Sequence, residues 1–213
     1  MSKDAELSKL RTKYITAIYE QKAFLIREEP FTLNHGGKSH LFLNHSEFLS
    51  RFDNVELLTS VYIHLLPNGT DDYKLAAVDS IMSPILCGLL AQVTKKDIVV
   101  VKEKKTGHGL ENKVYGDATG NVVLVDDVTS TGVILLNAAV ALREKGAIVR
   151  RAVISACRDT TAVEKLRDAG IACEYVATYE MILRELWPTL SAAQKDVVAQ
   201  EISEKGYEWN LSD

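Results

Sequence analysis

Val122–Gly132, "VVLVDDVTSTG", ends a run of four apolar residues in two adjacent carboxylates, followed by small hydroxyl side chains and a glycine. An apolar run without polar alternation reads as an interior strand of a parallel sheet, covered on both faces. Asp126 and Asp127 then stand at its carboxyl end, and in open α/β sheets ligands collect outside the carboxyl ends of the strands. Thr129–Gly132 lead into a helix, so free backbone N–H groups and the positive end of the helix dipole face the same crevice. That end suits a phosphate. The carboxylates repel phosphate but accept hydrogen bonds from hydroxyls or help hold a hydrated divalent cation. Three residues of chain span at most about 10 Å, comparable with a sugar phosphate, and a pentose 5-phosphate fits the arrangement. A plainer reading stays open on this unit alone, in which the acids cap a strand and the hydroxyls start a helix.

Outward from this stretch the pattern is regular. "KLAAVDS", "DIVVV", "NVVLVDD", "AIVRRAVISA" and "IACEYVAT" read as strands, and "PILCGLLAQVT", "GVILLNAAVALREKG" and "TTAVEKLRDAG" as the helices between them. Such alternation predicts an α/β fold with a doubly wound, mostly parallel sheet. Upstream, apolar residues at Leu7, Leu10, Tyr14, Ile18 and Leu25 predict a helix over Glu6–Arg27 that Pro30 closes. "FTLNHGGKSHLFLNHSEF" predicts a hairpin-like piece around Gly36–Gly37, and Asn54–Leu65 a second helix. Near the end, Ser191 and Gln194 have capping-box spacing. The expected organisation is one structural domain: a small N-terminal helical and hairpin hood over 1–73, an α/β core over 74–186 and a helical tail over 187–213.

Lys102–Gly120, "KEKKTGHGLENKVYGDATG", is charged and glycine-rich without an apolar period. Connections of this length in compact domains are usually lids, binding loops or disordered segments. It precedes the strand with the paired acids, which points to a mobile cover over a site. Neither G-x-G-x-x-G nor G-x-x-x-x-G-K-[ST] occurs, so a dinucleotide fold and a Walker phosphate loop are both disfavoured.

Composition bounds the partners. The chain of 213 residues is 46% hydrophobic and 25% charged with net charge −4, which gives no electrostatic reason to expect nucleic acid or an anionic membrane. The longest nearly apolar stretch, Ile81–Ala91, is too short to span a bilayer. The first residues, "MSKDAELSKLRTKY", are polar where a secretion signal would be apolar, so a cytoplasmic protein is expected. Cys87, Cys157 and Cys173 are odd in number and widely spaced, and read as reduced thiols. His35, His40 and His45 stand five residues apart, which separates them on a strand or a helix, and they read as loop or surface histidines rather than metal ligands. Arg150 and Arg151 read as strand-end surface charges, and Trp187 and Trp209 as packing residues of the tail.

The residues also resemble a known family. "VVLVDDVTSTG" is similar to the phosphoribosyl pyrophosphate (PRPP) signature of type I phosphoribosyltransferases. "FTLNHGGKSHLFLN" resembles F-T-L-x-S-G-x-x-S, and "VKEKKTGHG" resembles the loop R-K-E-x-K-x-H-G, both of the orotate phosphoribosyltransferases in that family. "ISACRD" matches the place of an arginine that contacts the base. The resemblance covers Phe31 to Asp159. It implies transfer of ribose 5-phosphate from PRPP to a nucleobase, with orotate favoured. It also implies Mg²⁺ held mainly by PRPP with no direct protein ligand, and a homodimer.

Carried over by position, Asp126 and Asp127 hold the ribose hydroxyls, and the turn Val128–Thr129–Ser130–Thr131–Gly132 binds the 5-phosphate. Lys105 approaches the leaving pyrophosphate with Lys102 beside it, His108 is the loop histidine, and Phe42, Leu43, Ser130 and Arg158 receive the base. The chain departs from the pattern at four places. Met82 and Ser83 stand where the pyrophosphate loop G-P-x-x-K-G-I has lysine and glycine. Val101 stands for the arginine opening the catalytic loop, Asn34 for an amino-terminal lysine and Val133 for a threonine. Three of these remove cations from around an anionic substrate, which predicts weakened PRPP binding. Two further readings stay open: a type I transferase for another base, and a non-catalytic PRPP or nucleotide sensor.

Overall fold

A computed structural model of the chain describes residues 3–33, 37–67, 71–102 and 113–211. In chain order the elements are α1 (Lys3–Glu20), β1 (Phe24–Thr32), β2 (Lys38–Leu43), α2 (His45–Phe48) and α3 (Phe52–Leu65). There follow β3 (Lys74–Ala77), α4 (Met82–Thr94), β4 (Ile98–Val101), β5 (Val114–Tyr115) and β6 (Gly120–Thr129). The chain ends with α5 (Val133–Arg143), β7 (Ala147–Cys157), α6 (Thr161–Asp168), β8 (Ala172–Thr178), α7 (Tyr179–Leu186), a 3-10 turn (Trp187–Thr189) and α8 (Ala192–Lys205). They form two compact units, one of residues 59–178 and one of residues 1–58 with 179–213.

The unit of residues 59–178 holds a six-stranded sheet in the order β5-β4-β3-β6-β7-β8. Pairing is parallel except between β4 and β5. The α/β, doubly wound and mostly parallel reading therefore holds. β6 is central, and its apolar run Val122–Val125 is buried throughout, as a strand covered on both faces requires. Its flanking core includes Val99, Val101, Leu135, Leu142 and Ile154. From β3 the chain moves by α4 to β4 on one side, and from β6 by α5 to β7 on the other. With right-handed crossovers this reversal places α4 and α5 on opposite faces and opens a crevice between the carboxyl ends of β3 and β6. No helix among the described residues is long and apolar enough to cross a membrane.

The other unit corrects the first expectation. The helix stops at Glu20, and Lys22 adopts a left-handed φ of 55°. The Ala23 N–H then reaches back to the Ile18 carbonyl at 2.8 Å, which closes the helix end. Leu25 and Arg27 lie in β1, antiparallel to β2. Pro30 lies within β1 rather than ending a helix, in the irregular stretch where the register shifts between Ile26 and Phe31; a two-stranded ribbon tolerates its missing N–H there.

His40 and His45 are buried rather than at the surface. His45 Nε2 lies 2.7 Å from the Tyr14 hydroxyl, and His40 Nδ1 lies 2.9 Å from the Arg27 carbonyl. α8 carries the expected capping box between Ser191 and Gln194. Cys87 and Cys157 are buried free thiols, and burial pushes Cys157 up to about 12.

Candidate active site

The crevice at the end of β6 is built around a carboxylate placed against apolar packing. Asp126 is 2% exposed, continuing the buried run of its strand, while Asp127 is partly exposed. Three elements fix the position of Asp126. Tyr62 on α3 donates its hydroxyl to the Asp126 carbonyl at 2.6 Å. Ser80, in the turn between β3 and α4, donates to Asp126 Oδ1 at 2.9 Å. Ser83 on α4 donates its hydroxyl to the Val125 carbonyl and accepts the Val78 N–H at 2.8 Å. Burial, then the negative charge of Asp127, push the Asp126 carboxyl well above the usual carboxylate range, against the Ser80 hydrogen bond that favours the charged form. Asp126 in turn adds to the burial that raises the Cys87 thiol.

Beyond the acids the backbone turns into α5. The Gly132 N–H donates to Thr129 Oγ1 at 3.1 Å, and the Thr129 carbonyl accepts the Arg158 N–H at 3.0 Å. Gly132 has φ of 75° and precedes α5 with no side-chain cap. A Cβ on Gly132 would lie 3.2 Å from the Ala162 carbonyl oxygen, so close packing as well as φ requires glycine. An uncapped helix start behind a tight turn offers N–H groups to an anion. The Asp127 carbonyl is held by Ser155 of β7 at 2.6 Å. Asp126, Asp127 and the turn Val128–Gly132 thus lie on one strand end, with Arg158 following β7 immediately beside Thr129. Carboxylates at one side and amides at the other match a ligand with hydroxyls and a phosphate.

Lys102 lies just past β4, its Nζ 3.6 Å from Asp79 Oδ1, and its N–H donates to the Lys113 carbonyl at 2.8 Å. Asp79, Lys102, Lys113 and the α5 residues Ile134, Asn137 and Ala138 line an open cleft of about 390 Å³. Lys105 and His108 lie outside the described residues, as does Asn34. Phe42 and Leu43 belong to β2, in the other unit, where Phe42 stacks on Phe31 with ring centroids 5.2 Å apart. Among the departures, Met82 and Val101 are buried core residues and Val133 is exposed at the first turn of α5.

The sequence reading missed Tyr62 and Ser80, and named Ser83 only as a departure from the pyrophosphate loop. The spacing of two serines around Ile81–Met82, at the first βα turn of the sheet, is the one local signal that could have drawn attention to them.

No protein-family model matches the chain. A curated orotate phosphoribosyltransferase of Methanopyrus kandleri is 30% identical over 149 residues, which cover 70% of this chain and 79% of that protein. The crystal structure of orotate phosphoribosyltransferase from Aeropyrum pernix superposes with a TM-score of 0.71 at 25% identity, covering 81% of this chain and 97% of the other. The Mycobacterium tuberculosis orotate phosphoribosyltransferase, solved in complex with PRPP, shares the fold with a TM-score of 0.61 at 16% identity, over 81% of this chain and 98% of the other.

Proposed function

The chain belongs to the orotate phosphoribosyltransferase family, and on that footing we propose that it transfers the ribose 5-phosphate of PRPP to orotate, giving orotidine 5′-monophosphate and pyrophosphate in pyrimidine biosynthesis. The observation that carries the reading is the pair Asp126–Asp127 beside the uncapped start of α5, at the crevice between β3 and β6. In the reaction the C1–oxygen bond to pyrophosphate breaks and a C1–nitrogen bond to the base forms. Asp126 and Asp127 accept hydrogen bonds from the ribose hydroxyls and face the positive charge that develops at C1. The backbone of Val128–Gly132, with the Ser130 and Thr131 hydroxyls, receives the 5-phosphate.

Lys102 and Lys105 approach the pyrophosphate end, with His108 on the same segment. Arg158 pairs with the base carboxylate, with Ser130 on the same side of the sheet. The expected quaternary state is a homodimer, and the expected compartment is the cytoplasm.

Mg²⁺ fits this donor set in one way. No group of three or more histidine, cysteine or acidic residues that could hold a metal occurs among the described residues. Asp126 is buried with one oxygen engaged by Ser80. The family resemblance would have PRPP itself hold most of the ion, which when bound would neutralise charge on the leaving pyrophosphate.

The test is an absorbance assay of orotate consumption with PRPP and Mg²⁺, repeated with adenine, guanine, hypoxanthine and uracil. Orotate alone is expected to be consumed, and chelation of Mg²⁺ to stop the reaction. Asp126→Asn with Asp127→Asn is expected to remove PRPP binding in calorimetry, and Lys105→Ala to lower kcat far more than affinity. Turnover with a purine base in place of orotate overturns the base assignment, and silence with all five bases overturns the enzyme.

A further inference from the structure

The turn between β3 and α4 carries no cation. From Val78 to Pro84 its side chains are Val78, Asp79, Ser80, Ile81, Met82, Ser83 and Pro84, and Met82 and Ser83 are buried. A turn at this position, facing the acid pair across the crevice, is placed to act on PRPP, yet it offers a diphosphate nothing positive. What it does offer is a hydroxyl aimed at the acid. The Ser80 hydroxyl donates to Asp126 Oδ1 at 2.9 Å and accepts the Ser83 N–H at 3.1 Å. The Ser80 N–H closes a tight turn onto the Val78 carbonyl at 2.8 Å, and Ser83 ties the turn to both Val78 and Val125. The hydroxyl oxygen is held by the helix start behind it and the residue's backbone by Val78, which turns the hydroxyl proton toward the strand beside it.

We infer that Ser80 is a positioning residue for the ribose end of PRPP, holding the Asp126 carboxylate in the orientation in which it meets the sugar hydroxyls. The inference rests on the proposed role of the acid pair. The turn between β3 and α4 then serves the sugar through Asp126, and the pyrophosphate end is left to the lysines that follow β4. Ser80 also stands where an α4 cap would stand, three residues before Ser83, and a cap alone would support the fold without preference for either end of the substrate.

That difference makes the test. Binding of ribose 5-phosphate and of magnesium pyrophosphate to the full chain is measured by calorimetry, with KM for PRPP and kcat from the orotate assay and a melting curve for each variant. Ser80→Ala is expected to weaken ribose 5-phosphate and raise KM for PRPP about tenfold, with pyrophosphate binding unchanged, and Ser80→Thr to restore both. Ser80→Cys, which fills the same space with a poor donor, is expected to behave as Ser80→Ala and serves if the alanine variant does not fold.

Equal weakening of both probes, or no change in either, overturns the inference. Asp126→Asn separates the two levels. If it leaves ribose 5-phosphate binding intact, the acid-pair reading has failed; if it weakens binding while the Ser80 variants do not, only the role of Ser80 has failed.

Discussion

Gly132 is a residue whose identity the local geometry dictates twice. Its φ of 75° lies in the left-handed region, and a Cβ there would crowd the Ala162 carbonyl oxygen at 3.2 Å, so that backbone would have to give way slightly. Gly132→Ala is therefore expected to cost about 1–2 kcal/mol of stability and, by moving the turn that the 5-phosphate meets, to raise KM for PRPP; thermal melting and the orotate assay check the two parts. A variant that melts as the native chain does would show that the turn relaxes freely. The acid pair and this glycine were legible because they sit together in eleven residues whose order carries the chemistry. Ser80 and Tyr62 were not, since they reach Asp126 from 46 and 64 residues away, and nothing in a serine or a tyrosine announces which carboxylate or carbonyl it will meet.

At the scale of elements, strands and helices of the sheet were readable because a buried parallel strand and its crossover helix each carry their own period. β1 was hidden for the opposite reason. Leu25 extends the helical spacing of Leu7 to Ile18, and the stop at Lys22 uses a left-handed lysine where a glycine would have signalled the end.

α8 was placed by its capping box, but what holds it was not foreseen. Glu201 looks like a solvated charge in "AAQKDVVAQEISEK", yet it is fully buried; its carboxylate accepts the Ser39 hydroxyl at 2.7 Å and the His40 N–H at 2.8 Å. Hydrogen bonds to a buried charge contribute about 1.5–3 kcal/mol each. Glu201→Ala is expected to destabilise the chain by about 3 kcal/mol and to speed hydrogen exchange at the His40 amide. Unchanged exchange there would mean that α8 is held by its apolar contacts alone.

For the molecule as a whole, the candidate site works against the stability of the sheet that carries it, and pH exposes this. Folding raises Asp126 through burial and the neighbouring Asp127 charge, so the folded chain keeps that proton to higher pH than the unfolded chain, where an aspartate titrates near 3.9. Between these two values the folded state binds more protons, and stability falls as pH rises across the window. Asp117 acts with the opposite sign: its hydrogen bonds to Lys74, at 2.6 Å, and to Thr119 hold it below its ordinary value. The stability it contributes is present above the unfolded value and is lost as pH falls through the folded one. Asp126→Asn removes only the first effect, because the amide still accepts the Ser80 hydrogen bond without placing a charge in the core. The variant is expected to melt a few degrees higher than the native chain at neutral pH, about 2–4 °C for each kcal/mol regained in a chain of this size, with the gap closing toward pH 4 while PRPP binding is weakened. A gap that stays constant with pH, or a variant that melts lower at neutral pH, would show that the buried carboxylate is not a cost the fold carries for its ligand.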